Sequence, residues 1–369
     1  MKAAALMEYK KCKRTYKNGI MEAKRSAWRS LLKDLDRDQW GRGYKIVVKR
    51  TNLKRRNKLT DAQQMVEARK LFPDVEDRVR RKVVTTDEEV RPFTVEELSE
   101  ATDRIKQKKA PGPDGILPEI AKVAVYCQKE IFLNMVNKAL SDGEFPAQMK
   151  VAKLVLIPKS IKSHEETTAY RPISLLNVFG KIFEAILERR LRQEIDNKGR
   201  LHDKQHGFRR GHSTLNAMEE VIKIAKEATN KAAQNKSFCA LVTLDVRNAF
   251  NEARWTGIIS ELERRNITRH IIELVKNYLS ERVLLVGEEG EMRMSCGVPQ
   301  GSILEPLLWN IYYDEVLDTE MPVGVTLIGY ADDLAMVAVA KTGSELENKI
   351  NTAVVEVTEW LHSRNLCVA

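Results

Sequence analysis

The chain has 369 residues, of which 43% are hydrophobic, and its 62 Lys and Arg outnumber 52 Asp and Glu for a formal net charge of +10. This length allows a substantial core in two or three subdomains, and no apolar run approaches the ~18 residues needed to cross a bilayer, which argues against a membrane protein. Five widely spaced cysteines without a signal peptide favour a reducing intracellular setting, and none of the six histidines has the spacing of a zinc site.

The positive charge is concentrated at the N-terminus. Residues 1–58 contain 19 Lys and Arg against 5 Asp and Glu, whereas the other 311 residues contain 43 against 47. An apolar stripe predicts a helix over residues 4–36, and the run from Lys49 to Lys58 is typical of a surface arm or a nuclear-entry signal. This charge favours nucleic acid as a partner, although a solvated helix face would explain the same residues. The acidic stretch Thr85–Pro92 is predicted to be a linker.

Helices and strands alternate after the linker. Thr94 and Glu97 predict a capping box, and the Pro and Gly residues of Ala110–Gly115 predict a rigid turn. Hydrophobic periodicity then predicts, in chain order, helix Ile120–Leu140, strand Val151–Ile157, helix Val178–Glu194, strand Phe238–Asp245, helices Ile258–Arg265 and Ile271–Leu279, a hairpin of Val283–Val286 and Glu291–Cys296, a helix from Ser302 to about Leu317, strands Val325–Tyr330 and Leu334–Val339, and a final amphipathic helix from Leu346 to Leu361.

Two basic residues stand near the ends of structured segments in the first half of the chain. Lys159 ends the motif LIPK, and Arg171 lies in YRPIS. Either side chain could reach phosphate oxygens, although each one alone is equally well explained as an ordinary surface charge.

Three aspartates are predicted to follow or separate buried strands. Asp332 and Asp333 form the turn of a predicted hairpin, and Asp245 ends an earlier strand. Neighbouring carboxylates repel by roughly 4 kcal/mol at ~4 Å and an effective dielectric of ~20, so a fold keeps such a cluster when cations neutralise it. Oxygen ligands of this kind suit a pair of Mg²⁺ ions that promote phosphoryl transfer. A solvated acidic turn is the alternative explanation.

Two further segments lie between or beside these aspartates. In Gly297–Ser302, Gly301 allows close approach of the backbone to a flat partner, Gln300 can hydrogen-bond a base or sugar edge, and Ser302 could cap a helix. Phe250 follows Asp245 by five residues and could place its ring beside a sugar, although an ordinary core position explains it as well.

Together and in this order, the segments resemble the reverse transcriptase of non-LTR (LINE-type) retrotransposons, especially the Jockey-related elements of insects. The motifs cover residues 93–369, about three quarters of the chain, and they are APGPDGI at 110–116, LIPK at 156–159, YRPISLL at 170–176, QHGFRRGHST at 205–214, LDVRNAF at 244–250, GVPQGSIL at 297–304 and YADD at 330–333. Seven motifs in one register make a chance resemblance negligible.

The resemblance implies an α+β right-hand polymerase that copies RNA into DNA from a primer 3′-OH. It implies a basic N-terminal region and linker at 1–92, fingers at about 93–236 and a palm at about 237–369. Asp245, Asp332 and Asp333 would bind two Mg²⁺ or Mn²⁺ ions with the Val246 carbonyl as an added ligand. The resemblance further implies that Phe250 is the gate against a ribose 2′-OH and that Lys159 and Arg171 bind the triphosphate. Gln300 and Gly301 would line the nucleotide and template pocket, and Tyr330 would lie at the primer end.

The sequence departs from the family pattern in three respects. Glu305 stands where relatives carry Gly after GVPQGSIL, and it is either an obstruction near the template or a harmless helix-surface residue. The helical thumb and the lysine-bearing palm motif are expected to lie beyond Ala369. An endonuclease and a Cys/His knuckle are expected only in the parent protein. The expected partners are an RNA template, a DNA primer and dNTPs, and the expected location is the nucleus with a cytoplasmic ribonucleoprotein stage.

Two alternatives remain open. Another palm polymerase, such as a group II intron-type reverse transcriptase or an RNA-copying RNA polymerase, would share the acidic motifs. A catalytically inactive nucleic-acid-binding remnant would share the basic N-terminus.

Overall fold

A computed structural model of the chain describes residues 59–75, 90–159, 170–229 and 237–369, together with scattered positions between residues 7 and 26. Residues 1–59 and 60–369 are separate compact units. The described positions between 7 and 26 are helical, in agreement with the helix predicted there. The basic run Lys49–Lys58 and residues 85–89 of the predicted linker lie outside the described residues.

The second unit is built from helices that surround two small sheets. From residue 60 onward, the helices described are α1 (Asp61–Leu71), α2 (Val95–Arg104), α3 (Pro118–Cys127), α4 (Lys129–Asp142), α5 (Val178–Lys198), α6 (Thr214–Thr229), α7 (Ala249–Glu252), α8 (Trp255–Arg264), α9 (Arg269–Leu279), α10 (Glu305–Tyr313) and α11 (Gly343–Ser363). The strands are β1 (Val151–Pro158), β2 (Tyr170–Leu176), β3 (Phe238–Asp245), β4 (Val283–Val286), β5 (Gly290–Arg293), β6 (Val325–Tyr330) and β7 (Asp333–Ala340).

The strands form one four-stranded and one three-stranded sheet. The first has the order β2-β1-β4-β5, in which only β1 and β4 are parallel. The second is antiparallel, with the order β3-β7-β6. Pro172 lies within β2, and it is tolerated there because β2 is an edge strand of its sheet.

The three-stranded sheet has different neighbours on its two faces. On one face, α11 buries Ala353, Val357 and Leu361 in the main core, into which Val242 and Leu244 of β3 and Leu334 and Met336 of β7 also pack. On the other face, α6 packs Ala217 over Ile328 and Val337. Because side chains alternate along a strand, Asp245 and Asp333 lie on the α6 face, in line with the half-buried Cys239 and Ala335.

Several predicted boundaries differ from those observed. The predicted helix Ile120–Leu140 is two helices, because the backbone leaves helical values at Gln128 (φ −129°, ψ 44°). The predicted helix from Ser302 begins instead at Glu305 and passes into a 3-10 turn at Asp314. Pro306 lies in its first turn, where a residue without an N–H is tolerated. Helices α1 and α6 and strand β2 are further elements that the hydrophobic pattern did not predict.

Helix α1 belongs to the same compact unit as the sheets. The Asp61 carboxylate accepts a hydrogen bond from the Glu288 backbone N–H (3.0 Å), and the Asn248 side chain donates to the Leu71 carbonyl (2.7 Å). The compact unit therefore extends to Thr60, while a polymerase region beginning at residue 93 remains a prediction. Among the described helices, none combines the length and the apolar composition that a membrane crossing requires.

Candidate active site

The fold brings the three predicted aspartates to one end of the three-stranded sheet. Asp245 is the last residue of β3 and lies directly opposite Asp333, the first residue of β7. Asp333 also pairs with Tyr330 across the β6–β7 hairpin, so the turn consists of Ala331 and Asp332 rather than of the two aspartates. Residues nearly ninety positions apart in the sequence thus place their carboxylates on one surface.

The hairpin turn contains a residue in a costly conformation. Ala331 has a φ of +60°, a region in which a side chain with a Cβ costs about 1–2 kcal/mol. Its backbone N–H donates to the Gln205 side-chain oxygen (3.2 Å), and its carbonyl accepts from the Trp309 indole (3.1 Å). Both side chains are fully buried. They hold the residue that immediately precedes Asp332.

The segment containing Gln205 is docked along β6. Gln205 bridges Gly329, and the His206 N–H donates to the Gly329 carbonyl (2.8 Å). Gly207 approaches Ala331 so closely that a Cβ on Gly207 would lie 1.9 Å from the Ala331 nitrogen, which no side chain could occupy. A glycine is therefore required at position 207 for this packing.

The carboxylates influence one another electrostatically. Burial and then the charges of Asp333 and Asp245 raise the pKa of Asp332, while Arg171 opposes this rise. Burial and the charge of Asp245 raise the pKa of Asp333. Burial, followed by the charges of all three aspartates, raises the pKa of the Tyr313 hydroxyl beneath them. The site is an electronegative surface that favours a proton or a cation.

The backbone at Val246 faces the same surface. Val246 forms an antiparallel bridge with Val368, in which the Arg247 N–H donates to Cys367 and the Ala369 N–H donates to Asp245. In this non-hydrogen-bonded pair, the N–H and C=O of Val246 itself point away from Val368. They are directed toward the side of β3 on which β7 and Asp333 lie.

The turn Gly297–Ser302 connects two other predicted segments. The Val298 N–H donates to the Phe250 carbonyl (2.8 Å), and the Ser174 N–H donates to the Gln300 carbonyl (2.7 Å). Gly301 has a φ of +109°, and a Cβ there would lie 2.9 Å from the Ser174 carbonyl oxygen. The turn therefore lies against both β2 and α7.

Phe250 is half-buried in an aromatic group. Its ring lies 5.1 Å from the Trp309 ring and 6.1 Å from the Phe208 ring, measured between centroids. These two contacts agree with the core explanation of Phe250, while part of the side chain remains exposed. Trp309 also donates to Ala331, so the aromatic group extends from Phe250 to the hairpin turn.

The two predicted basic residues lie at one end of the β1–β2 pair. Arg171 is opposite Ile157, and Lys159 is the residue after β1. Arg171 shares its face of β2 with Ile173, which lies near Gly301. The positive charge of Arg171 favours the ionised form of Asp332 and so opposes the rise in the pKa of that carboxyl.

Glu305 is a buried residue, not one on the helix surface. Its carboxylate accepts from the Gly301 N–H (2.7 Å), and its own N–H donates to the Ser302 hydroxyl (2.9 Å). The N-cap of this helix is Leu304, so the prediction that Ser302 caps it is wrong, although the Ser302 hydroxyl accepts from the first helical N–H. Burial raises the pKa of Glu305 to about 8, an effect to which the charges of Glu184 and Asp332 add.

Within the described ranges, no three His, Cys, Asp or Glu side chains have the spacing of a preformed metal site. The three aspartates lie at one end of the three-stranded sheet, where their like charges repel one another.

Comparison with known proteins decides the family. Residues 157–369 match the family model described as reverse transcriptase (RNA-dependent DNA polymerase). The chain belongs to the reverse transcriptase family. Its mixed α and β content fits the reverse-transcriptase fold.

Relatives of this reverse transcriptase domain come from retrotransposons. It is 30% identical to the probable RNA-directed DNA polymerase from transposon BS of Drosophila melanogaster, over 73% of this chain and 30% of that protein. It is 28% identical to the RNA-directed DNA polymerase from mobile element jockey of the same species, over 74% and 30%, respectively. It is also 28% identical to a putative 115 kDa protein in the type-1 retrotransposable element R1DM of Drosophila melanogaster, over 96% of this chain and 34% of that protein. The chain therefore spans about a third of the length of these relatives. Its relatives identify it as a reverse transcriptase of the non-LTR (LINE) type.

Sequence reasoning did not identify all the residues that shape this site. Gln205 and Trp309 hold Ala331, Thr214 donates to the Tyr330 hydroxyl (3.0 Å), and Tyr313 lies under the aspartates. Gln205 belongs to the quoted motif QHGFRRGHST, so the motif marked its segment without revealing the role of its side chain.

Proposed function

We propose that this domain is an RNA-directed DNA polymerase, with Asp245, Asp332 and Asp333 as the catalytic carboxylates. The observation that supports the proposal most directly is the pairing of Asp245 with Asp333 beside the Ala331–Asp332 turn. An RNA template, a DNA primer and dNTPs are the substrates that this activity requires.

The donor set fits two Mg²⁺ or Mn²⁺ ions. Three carboxylates on one surface, two of them with a raised pKa, provide the hard oxygen ligands that these ions prefer. The Val246 carbonyl, which is directed to the same side of β3, would be a further ligand. Bound cations would supply Lewis-acid stabilisation of the charge on the transferred phosphoryl group.

The remaining site residues have roles that follow from their positions. Arg171 and Lys159 would bind the triphosphate from the β1–β2 end, and support comes from the Arg171 charge, which opposes the rise in the pKa of Asp332. Gln300 and Gly301 would line the nucleotide and template pocket, Tyr330 would contact the primer end, and Phe250 would exclude a ribose 2′-OH. The primer hydroxyl attacks the α-phosphorus and pyrophosphate leaves, so the protein supplies mainly alignment and electrostatics.

We also propose the subdomain assignment. The three-stranded sheet with its aspartates would form the palm within about 237–369, and β1, β2 and helices α2–α6 would form the fingers within about 93–236. Residues 1–92 would be the basic N-terminal region and linker, of which residues 60–75 pack in the same compact unit as the sheets. A thumb and an endonuclease would belong to the longer parent protein.

Primer extension on poly(rA)/oligo(dT) with Mg²⁺ or Mn²⁺ tests the activity. We expect dTTP incorporation by the full chain and its loss in Asp332→Asn, which keeps the shape of the side chain but removes the charge. Asp142→Asn is the matched control, since Asp142 is an exposed residue of α4 that belongs to none of the proposed sites. Equal incorporation by the wild type and Asp332→Asn would contradict the assignment.

One observation favours a second candidate, a nucleic-acid-binding domain without catalysis. The Glu305 carboxylate occupies the Gly301 N–H in the proposed template pocket and adds negative charge near Asp332. Salt-sensitive RNA binding without incorporation by the full chain would support this candidate. If Glu305→Gly then restored incorporation, Glu305 would be the cause of the inactivity.

A further inference from the structure

An arginine-rich cleft lies between α2, α5 and the segment that follows α5. It has a volume of about 490 Å³ and is lined by six arginines, Arg104, Arg189, Arg192, Arg200, Arg209 and Arg210. Its acidic lining residues are Glu100, Glu188 and Asp196, so the formal charge of the lining is +3. The 311 residues after the basic N-terminus carry 43 basic against 47 acidic groups, which makes this local excess of positive charge distinctive.

Part of the cleft is organised by one buried carboxylate. Glu188 pairs with Arg104 (3.1 Å) and with Arg192 (2.7 Å). An arginine has five N–H donors, and Arg104 uses one of them here, so both guanidinium groups are held in place with donors to spare. Their orientation is fixed before any ligand arrives.

Of the other four arginines, Arg189 pairs with Glu100 and Arg209 with Asp203 (3.5 Å), whereas Arg200 and Arg210 are exposed. Arg200 follows the end of α5, and Arg210 lies in the motif QHGFRRGHST. In the part of the chain that the structure describes, neither forms an ion pair. Arg209 beside them is anchored by its hydrogen bond to the His202 carbonyl (2.7 Å).

The composition of the lining identifies the class of ligand. Guanidinium groups bind phosphate oxygens through paired N–H donors. Among the described residues, no Phe, Tyr or Trp lines the cleft, so these residues provide none of the aromatic platform on which bases stack in single-strand-binding grooves. None of the three aspartates lines it either. The cleft is thus suited to a phosphodiester backbone, without base recognition and without metal.

We infer that this cleft is a second nucleic-acid-binding site, which holds the backbone of a strand independently of the acidic centre. It goes beyond the proposed polymerase activity and does not require it. Bound there, a strand would be retained while its end is processed elsewhere on the domain. The cleft would take RNA or DNA, because the shared phosphodiester is what it contacts.

Equilibrium binding by the full chain tests this inference. The probes are fluorescent 20-nucleotide oligo(U) and oligo(dT), measured in EDTA over 50–300 mM salt. Arg200→Gln/Arg210→Gln should weaken binding and flatten the slope of log K against log[salt] by about 1.4, since each phosphate contact to a single strand contributes ~0.7. A loss confined to one oligonucleotide would identify that strand as the ligand, and equal losses would show that the backbone alone is bound.

A matched pair of substitutions separates the cleft from general charge. Arg269 and Arg293 are also exposed but lie outside the cleft, so Arg269→Gln/Arg293→Gln removes the same charge. We expect it to change the slope by less than half as much. Equal effects of the two double variants, or no effect of the first, would overturn the inference.

The polymerase assay is read separately. Measured over a range of primer–template concentrations, Arg200→Gln/Arg210→Gln should raise the KM for primer–template, and the rate at saturation (kcat) should match that of the wild type. If the wild type fails to extend a primer while the two double variants still differ in salt slope, the proposed polymerase activity is wrong and nucleic-acid binding by the cleft is supported. If extension occurs but the two salt slopes are equal, the inference about the cleft is wrong and the proposed activity is supported.

Discussion

At the scale of single residues, Phe250 is where core packing and substrate selection meet. Its half-buried ring packs on Trp309 and Phe208, and the proposed role assigns the exposed part of the ring to the sugar of the incoming nucleotide. Phe250→Ala should admit rNTPs and reduce the preference for dNTPs by roughly 10-fold or more, the scale on which pocket shape discriminates substrates. The measurement is the ratio of kcat/KM for dTTP and UTP.

Phe208→Ala is the control for this prediction. It removes a ring from the same aromatic group at a position that is 46% exposed. An equal change in the nucleotide ratio would assign the effect to packing. If the wild-type domain used dTTP and UTP equally, the assignment of Phe250 as the gate would be wrong. That result would favour the alternative of an RNA-copying RNA polymerase.

Glu305 gives the domain a predictable dependence of stability on pH. Its pKa in the folded chain is raised to about 8 from 4.5, so the folded state binds this proton more tightly than the unfolded state does. The contribution of this carboxyl to the free energy of unfolding is therefore fully present below pH 4.5, and it is lost as the pH rises toward about 8. Glu305→Gln keeps an acceptor for the Gly301 N–H and has no proton to lose.

We therefore expect Glu305→Gln to gain stability relative to the wild type between pH 5 and pH 8. One pKa unit corresponds to about 1.4 kcal/mol, and the expected gain is on the order of 1–3 kcal/mol. Urea unfolding at the two pH values measures the difference in free energy, with the exposed Glu289→Gln as the control. A difference that stays constant with pH would contradict the burial of this carboxyl.

At the scale of elements, the segment around Gln205 should act as a support for the β6–β7 hairpin. Gln205→Ala leaves the buried N–H groups of Ala331 and Gly207 without their acceptor, at a cost of about 1–3 kcal/mol for an unsatisfied group. Ala331 can then leave its positive φ, and Asp332 moves with it. We expect a lower kcat with little change in the KM for dNTP.

Substitution of the supported residue gives the matching test. Ala331→Gly removes the penalty of positive φ, so it should restore part of the kcat lost in Gln205→Ala and change the wild type little. Additive effects of the two substitutions would indicate that Gln205 acts on folding alone.

The same hairpin shows how far sequence reasoning reaches. Short apolar runs predict β3, β6 and β7, because the hydrophobicity of each residue indicates whether it is buried. The partners of Ala331 depend on long-range packing, since Gln205 is 126 positions away in the sequence. Likewise β2 contains Pro172, which local rules discourage in a strand, and only its place at the sheet edge permits it. The motifs therefore predicted the acidic residues, whereas the side chains that hold Ala331 could be identified only from contacts in the folded structure.

At the scale of the whole molecule, charge divides the chain into two parts. Residues 1–58 carry 19 basic against 5 acidic groups, and the remainder carries a small negative excess. Residues 60–369 form a compact unit by themselves. A chain arranged in this way can separate electrostatic attachment to nucleic acid from the chemistry of the acidic site.

Deletion of residues 1–58 should therefore weaken nucleic-acid binding while the compact unit stays folded. The slope of log K against log[salt] for oligo(U) should flatten by at least about 2, since several phosphate contacts are lost at ~0.7 each. Replacement of the basic residues of Lys49–Lys58 by Gln tests charge without changing length. The melting temperature of the deletion variant should match that of the full chain. An unchanged salt slope would show that the basic segment does not contact nucleic acid, and the arginine cleft would then account for the binding.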